Sequence, residues 1–495
     1  MEFSIEPTAE EELEIVLTED NDEEESSDEE MGGVRGAESP QGGVRSAWPV
    51  EAESPQGGVR SAWPVEAESP HEEEPLQLSE EEFFELENTI HELMYDKINE
   101  NPLLYSNPDF HDNLLNDIHD WFYEDWMDTE VIKQNESIYE CIAEIVGSFF
   151  QLYYPPRSNT NSDVELSLYP PNTKQITQTI EALKALPQPT QKTVEWHEYR
   201  HNMITGSTIW KALSTESQRN SLIYEKCKPF NPFTTEKGNW HAGGSLQWGV
   251  LYEAVSIMIY EKKYNTKVAE FGCIQHPKYK CIGASPDGIN VDPESDRHGR
   301  MIEVKNIVNR DITDKPKEEY WIQMQIQMET CDLEECDFIE TRFKEYETPT
   351  AYAEDTAQEW KGIILCFLTR DVPNSKPTYK YMPLDLDISH EEWIANTKEE
   401  VKEKLILYTT TYWYLDEFSC ILVKRNPLWF NAALPKILDT WDTILKERET
   451  GYEHRAAKKR VVTNCQPNTD GTSNSYIISN LKLNNSVCLL KLDHD

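Results

Sequence analysis

From about Glu80 the apolar residues fall into a helical rhythm. Phe83, Phe84, Leu86, Ile90, Leu93 and Met94 recur at three- and four-residue spacings, and a second rich stretch runs from Leu114 through Trp126 to Phe150. The pattern predicts a helical domain over 80–156 that stops at Tyr153-Tyr154-Pro155-Pro156, with its aromatic stripes in the core. A polar linker, 157–174, follows. After a helix near Gln175–Leu186 and a proline-broken turn, the pattern predicts helix Glu195–Leu213, interrupted by a turn at Gly206, and helix Gln247–Tyr264. Strands Val268–Gln275, Lys280–Ser285, Gly288–Val291 and Arg300–Asn306 come next, then helix Lys317–Cys331 and strand Phe338–Phe343. Helices before and after a three-strand meander, with a further strand added, make an α/β layer rather than a bundle or sandwich. Residues 361–369 read as strand, 391–408 and 427–448 as helix, so 347–462 is expected to extend a core at 175–346.

The two ends lack this rhythm. Residues 1–79 are expected to be a disordered acidic tail, because residues 1–90 hold 28 acids against three bases and few large apolar side chains to offset chain entropy. Within it AESPQGGVRSAWPVE occurs at Ala37–Glu51 and again at Ala52–Glu66. Two copies are too few for a solenoid, and Gly-Gly and Pro forbid a helix. Trp48 and Trp63 are either anchors of a pair of partner-binding motifs or the product of duplication in an unconstrained tail. The Asn/Ser/Thr-rich segment 463–495 is expected to be mobile.

The full chain of 495 residues has 46 Lys+Arg and 91 Asp+Glu, a net charge of −45, which excludes coating nucleic acid by bulk attraction. Residues 176–345 are close to balanced, with 25 acids and 21 bases, so an enzyme acting on nucleic acid stays open for that segment. No apolar run approaches the ~18–20 residues that span a bilayer, and no membrane partner is expected. An acidic start without an apolar stretch points to a reducing, intracellular compartment. Ten cysteines without one CxxC pair leave no framework for zinc or iron–sulfur clusters and read as reduced core thiols.

One constellation carries chemistry. Asp287 lies in Ser285-Pro286-Asp287-Gly288, and Glu303 and Lys305 lie in Ile302-Glu303-Val304-Lys305. Two apart on a strand, Glu303 and Lys305 project from one face. Alone, the pair reads as a salt bridge. With Asp287 at the neighbouring strand end and the Val304 carbonyl, it becomes an oxygen-ligand set for Mg²⁺, with Mn²⁺ as a substitute, and Lys305 can orient or deprotonate a water for attack on a phosphodiester. Glu253, on an amphipathic helix, is a candidate third ligand. In Tyr320-Trp321-Ile322-Gln323-Met324-Gln325-Ile326-Gln327, Gln323 and Gln327 share a helix face that can point at the same site.

From about Pro187 to Tyr346 the chain resembles the PD-(D/E)XK nuclease superfamily, and within it the YqaJ-type viral recombinase group that includes lambda-exonuclease-like proteins. Trp196, Arg200 and Ile204-Thr205-Gly206-Ser207 match the opening W-x3-R-x3-I-T-[AG]-S pattern. Glu253 matches G-x3-E, Ser285 and Asp287 match SPDG, Glu303 and Lys305 match E-x-K, and Gln323 and Gln325 match Y-x2-Q-x-Q. A residue before Gly249, where many relatives carry Arg, this chain has Trp248. The resemblance implies a restriction-endonuclease-like mixed sheet flanked by helices. It also implies metal binding by Asp287 and Glu303, a supporting role for Gln323, and a pocket for a DNA 5′ phosphate at Arg200, Ser207 and Ser285.

The implied activity is a 5′-to-3′ exonuclease on double-stranded DNA ends in viral recombination or genome processing, in the style of large DNA viruses. The alternatives are an endonuclease or junction resolvase and, from another class, a non-catalytic DNA-binding or virion protein that kept the fold. Relatives imply a single-strand annealing partner and a homo-oligomeric ring, and a host cytoplasm, nucleus or virion as the setting. Arg455, Lys458, Lys459 and Arg460 read as a nuclear-import or DNA-contact cluster or as a solvated helix end. His276 reads as a turn residue, and Lys278 and Lys280 as possible DNA-backbone contacts.

Overall fold

The computed structural model describes residues 79–126, 136–159, 172–232, 245–370, 372 and 376–457. The acidic segment with its repeat, the C-terminal Asn/Ser/Thr-rich segment, Lys458, Lys459, Arg460 and most of the linker lie outside the described residues.

Three helices come first, α1 (Glu80–Glu100), α2 (Phe110–Trp121) and α3 (Glu136–Leu152). Their buried positions follow the sequence rhythm: Leu86, Ile90, Met94 and Ile98 on α1, Phe110, Leu114 and Ile118 on α2, Ile142, Ile145 and Phe149 on α3. These side chains belong to one apolar cluster that continues into the α/β part of the chain. Arg157 fastens the two parts. Its guanidinium is 2% exposed and donates to the carbonyls of Tyr105 (3.1 Å), Ser106 (3.0 Å) and Pro316 (2.6 Å), while its own carbonyl accepts from the Trp321 indole at 2.8 Å.

The chain then runs α4 (Thr173–Ala185), α5 (Val194–His201), β1 (Ile204–Thr205), α6 (Gly206–Leu213), α7 (Glu216–Cys227) and α8 (Ser245–Lys263). Next are β2 (Val268–Ala269), β3 (Ile274–Gln275), β4 (Ile282–Ala284), β5 (Gly288–Asn290), β6 (Met301–Asn306), α9 (Glu318–Cys331) and β7 (Glu335–Glu345). Last come α10 (Pro349–Glu354), β8 (Lys361–Thr369), β9 (Thr378–Tyr381), α11 (His390–Val401), β10 (Leu405–Lys424) and α12 (Pro427–Thr450).

The strands form a three-stranded sheet, β1-β4-β3, and a seven-stranded sheet, β2-β5-β6-β7-β10-β8-β9. Only β1/β4 and β6/β7 are parallel among the named pairs. The parallel β6/β7 pair needs a crossover, and α9 supplies it. This is the mixed α/β sheet with flanking helices that the sequence predicts.

Three local readings need correction. The strand expected at Val268–Gln275 is two short pieces in different sheets, because between them the chain packs on the segment before α5: the Gly272 N–H donates to Gln188 Oε1 at 2.6 Å, and any Cβ at Gly272 would stand 2.4 Å from the Pro189 carbonyl oxygen. The meander is therefore divided: β3 and β4 belong to the small sheet, β5 and β6 to the large one. The break in the first helix is not a turn at Gly206 but a two-residue strand, Ile204–Thr205, paired with Ile282 and Gly283. Gly206 opens the next helix. Finally, helix 391–408 ends at Val401, and a twenty-residue strand, β10, follows between β7 and β8.

Candidate active site

The site forms where the two sheets meet. The Ser285-Pro286-Asp287 turn carries the chain from β4 in the small sheet to β5 in the large one, and β6 is the next strand over. Beyond the β5/β6 ladder the Asp287 carboxylate replaces a strand partner: its Oδ2 accepts from the Val304 N–H at 2.8 Å. A strand residue turns its N–H and C=O to the same side, so the Val304 carbonyl also faces Asp287.

Met301, Ile302, Glu303 and Val304 of β6 are all buried, as expected for a central strand covered on both faces. Glu303, 1% exposed, is held at both oxygens: Oε1 accepts from Lys305 Nζ at 2.7 Å and Oε2 from Gln327 Nε2 at 2.6 Å. The shared face read from the two-residue spacing is thus realised as a direct ion pair. Burial, then the charges of Glu303 and Glu253, push the Asp287 carboxyl well above its ordinary range. Burial alone would lower the Lys305 ammonium, but Glu303 and Asp287 outweigh it and raise the group. That ammonium also stands 4.8 Å from the centre of the Tyr320 ring.

Glu253 reaches the site from α8, near enough for its charge to act on Asp287, but its Oε2 faces Lys192 Nζ at 3.4 Å. Among the described residues no three His, Cys, Asp or Glu side chains are grouped closely enough to hold a metal ion between them. The carboxylates brought together are Asp287 and Glu303, with Glu253 at the rim. The α8 helix is tied to the end of β6 by Asn306, which donates to the Gly249 carbonyl at 3.1 Å and accepts from Ser256 and Thr341 at 2.8 Å each.

The amide that reaches Glu303 is Gln327, one helical turn beyond Gln323. Gln323 lies against Gly206 and makes no bond to Glu303, and the fully buried Gln325 instead donates to the Lys424 carbonyl and accepts from the Asn426 N–H at 2.7 Å. The sequence placed Gln323 and Gln327 on one helix face, and the family resemblance gave the supporting role to Gln323; of the two, Gln327 is the one that bonds Glu303. Sequence reasoning missed Asn306, Tyr320 and Lys192. A polar residue ending the buried strand was the available signal for Asn306; Lys192 had none.

On the small-sheet side, Arg200 lies over the Trp196 ring at 4.2 Å. Its guanidinium donates to Ser207 Oγ (2.9 Å), Thr205 Oγ1 (3.1 Å) and Ser285 Oγ (3.3 Å), so Arg200, Ser207 and Ser285 converge as the motif implied. Lys226, buried and pushed down to about 8 by burial, donates to the Arg200 carbonyl at 3.1 Å and fixes the end of α5. His276 is a turn residue: its Nδ1 accepts from the N–H groups of Lys278 and Tyr279. Arg455 pairs with Glu447. The eight cysteines among the described residues are free, and no helix there is long and apolar enough to cross a membrane.

Comparison with known proteins gives the same region. Residues 195–334 match the family model for the YqaJ-like viral recombinase domain, a segment that contains Arg200, Ser207, Glu253, Asp287, Glu303, Lys305 and Gln327. An uncharacterized protein of Acanthamoeba polyphaga mimivirus is 26% identical over 309 residues, which cover 54% of this chain and 55% of that protein. The chain thus spans about half the length of that relative. Among solved structures, an alkaline exonuclease from Laribacter hongkongensis aligns over 53% of this chain and 95% of its own at 19% identity, with a TM-score of 0.29. A phage-related exonuclease from Haemophilus somnus 129PT aligns over 51% and 96% at 14% identity, with a TM-score of 0.26.

Proposed function

We propose that the chain is a divalent-metal-dependent deoxyribonuclease that degrades duplex DNA from its ends, 5′ to 3′, in viral DNA recombination or genome processing. The observation that carries this reading is a single turn, Ser285-Pro286-Asp287, that links two clusters of different chemistry. Its serine accepts from the Arg200 fork, and its aspartate faces Val304, next to the Glu303–Lys305 pair.

The residues fit a hard cation. The donors are carboxylate and backbone carbonyl oxygens, without thiolate or imidazole. The Glu303 charge raises the cost of ionising Asp287, and a divalent cation bound there would offset that repulsion. Asp287, Glu303 and the Val304 carbonyl would hold it, with Glu253 at the rim. Mg²⁺, or Mn²⁺ in its place, supplies charge stabilisation for the phosphoryl oxygens and a more acidic water at neutral pH.

The protein's own groups do the positioning. Gln327 fixes the inner oxygen of Glu303, and the Val304 N–H fixes Asp287. Lys305, kept protonated by its carboxylate neighbours, donates to the attacking water and stabilises charge as it develops. Arg200 offers a planar fork that lies over the Trp196 ring, with the hydroxyls of Ser207 and Ser285 beside it. That suits a terminal phosphate, which carries more charge than an internal diester. Such a pocket serves an enzyme that starts at ends and has no evident use in one that cuts internally.

Linear and covalently closed circular duplex, each with Mg²⁺, separate the readings. Degradation of the linear form with survival of the circle is the expected result. Equal cutting of both would replace the exonuclease by an endonuclease, and no cutting of either would leave a non-catalytic DNA-binding protein.

A further inference from the structure

Two lysines outside the matched segment meet beside Glu253. Lys192 lies in the turn leading into α5, and Lys376 lies just before β9. Lys192 Nζ stands 3.4 Å from Glu253 Oε2 with 52% of its side chain exposed. Lys376 Nζ reaches the Lys192 carbonyl at 3.5 Å, its only partner among the described residues. An ammonium carries three donors, so most of the capacity of this pair faces solvent. Tyr379 and Tyr381 of β9 pack with Tyr252 of α8, so the helix that bears Glu253 also seats the strand that follows Lys376.

The backbone at Lys192 shows that the direction of its side chain is enforced. Its φ is 66°, in the left-handed region. Among the described residues two other non-glycine residues share a positive φ, Asn265 and Asp332, and these are the types that tolerate it. Lysine is not. The conformation is imposed by neighbours: Gln191 donates to the carbonyls of Phe271 (2.9 Å) and Pro286 (3.3 Å), and Thr193 caps α5 by accepting from the Trp196 N–H at 3.2 Å. Pro286 adjoins Asp287, so the turn that aims Lys192 is tied to the turn that carries the acidic centre. Enforced backbone conformations of this kind cluster at functional sites.

The local charge points the same way. In a chain of net charge −45, Lys192 and Lys376 gather on the approach to the site, and His197 is lowered by burial and then by Arg200 and Lys376 together. Glu303 does not neutralise them, since Lys305 and Gln327 already hold both of its oxygens.

The geometry points to Lys192 and Lys376 as positioning residues that grip backbone phosphates of the DNA strand beside Glu253. This assignment rests on the nuclease reading and deepens it. When the strand is seated, a phosphate replaces Glu253 as the partner of Lys192, and the carboxylate is released toward Asp287 as substrate arrives.

The test is equilibrium binding of a 5′-phosphorylated linear duplex in EDTA, titrated with salt, for the full chain and for Lys192→Gly, Lys376→Ala and the double variant. Glycine suits the left-handed turn, so Lys192→Gly removes the ammonium without endangering the fold. Each lost phosphate contact lowers the slope of log affinity against log salt by about 0.9, so the drop in affinity between ~50 and ~200 mM salt shrinks about 3.5-fold per lysine. Lys192→Arg should keep the wild-type slope, which a purely structural role would not require. An unchanged slope in the double variant, with wild type binding normally, would overturn this assignment and leave the nuclease reading standing. A wild-type protein without salt-dependent affinity for duplex would overturn both.

Discussion

Replacing Gln327 with leucine removes the donor that holds the inner oxygen of Glu303 while keeping the side-chain volume nearly constant. The bond is 2.6 Å long, both residues are 1% exposed, and the other atom of the amide, Oε1, has no partner among the described residues. Water has no ready access to take the donor's place. A hydrogen bond to a charged group contributes about 1.5–3 kcal/mol, and a buried acceptor left without its donor loses that range. Glu303 keeps Lys305, so the fold survives and the carboxylate gains freedom to rotate. We expect urea unfolding to show a loss of about 1.5–3 kcal/mol. Turnover of linear duplex with Mg²⁺ should fall about 10- to 100-fold in kcat, which corresponds to roughly 1.4–2.7 kcal/mol of barrier. Gln323→Leu is the control, because that side chain lies against Gly206 and not on Glu303; its kcat should stay within about threefold, below ~1 kcal/mol. If Gln323→Leu is the damaging change and Gln327→Leu is silent, the orientation of α9 against β6 is wrong and the supporting amide is the one the motif implied.

Three further outcomes follow from the same geometry. Asp337, fully buried between Arg297, Arg300 and the Tyr260 hydroxyl, should lose about 3–5 kcal/mol of stability as Asp337→Leu, because two buried guanidiniums lose the carboxylate they share, although Arg300 keeps Glu335 at 3.0 Å; denaturant unfolding reads this, and a loss under about 1 kcal/mol would contradict it. His111, whose Nε2 accepts from the Arg157 N–H at 3.0 Å, is pushed down to about 4 chiefly by burial and then by Arg157. Its folded value lies below its unfolded one, so its contribution is complete above about pH 6.5 and is lost as pH falls toward 4, by about 3 kcal/mol. The pH dependence of unfolding should be flatter in His111→Gln than in wild type. Arg200→Ala should reduce the preference for 5′-phosphorylated over 5′-hydroxyl ends, expected in wild type at about 10- to 100-fold from a charge-assisted contact of ~1.5–3 kcal/mol, while slow Mg²⁺-dependent cutting persists; equal wild-type rates on the two ends would remove the pocket's assigned role.

Periodicity located most of what is regular here. The buried face of α1 was legible because its burial repeats at the helical period, whereas α9 and the strand at 361–369 were legible as apolar stretches of helix and strand length that are buried almost throughout. What depends on partners from distant sequence was not legible. The division of the meander between two sheets is set by the pairing of Ile204 with Ile282, far apart in the chain. The β10 strand was hidden because Lys402, Glu403 and Lys404 read as a continuing helix, although the Thr- and Tyr-rich run Tyr408–Tyr414 has strong β preference. At the site, the spacing of Glu303 and Lys305 was enough to place them on one face, since a strand allows two faces only. Choosing between Gln323 and Gln327 needed the position of the helix along its own axis relative to β6, which a shared face leaves open. The aim of Lys192 comes from a turn whose conformation is enforced by Gln191 and Thr193, and neither residue type announces that on its own.

The central claim is that Asp287 and Glu303 form a cation-dependent hydrolytic centre, and turnover of a 5′-phosphorylated linear duplex by wild type, Asp287→Asn and Glu303→Gln tests it most directly. With Mg²⁺ the wild type should cut, and in EDTA it should not. Each variant should lose more than about 10³-fold, over ~4 kcal/mol of barrier, while duplex binding in EDTA is kept. Cutting by either variant within about tenfold of wild type, a loss below ~1.4 kcal/mol, or equal wild-type cutting in EDTA, would contradict the account.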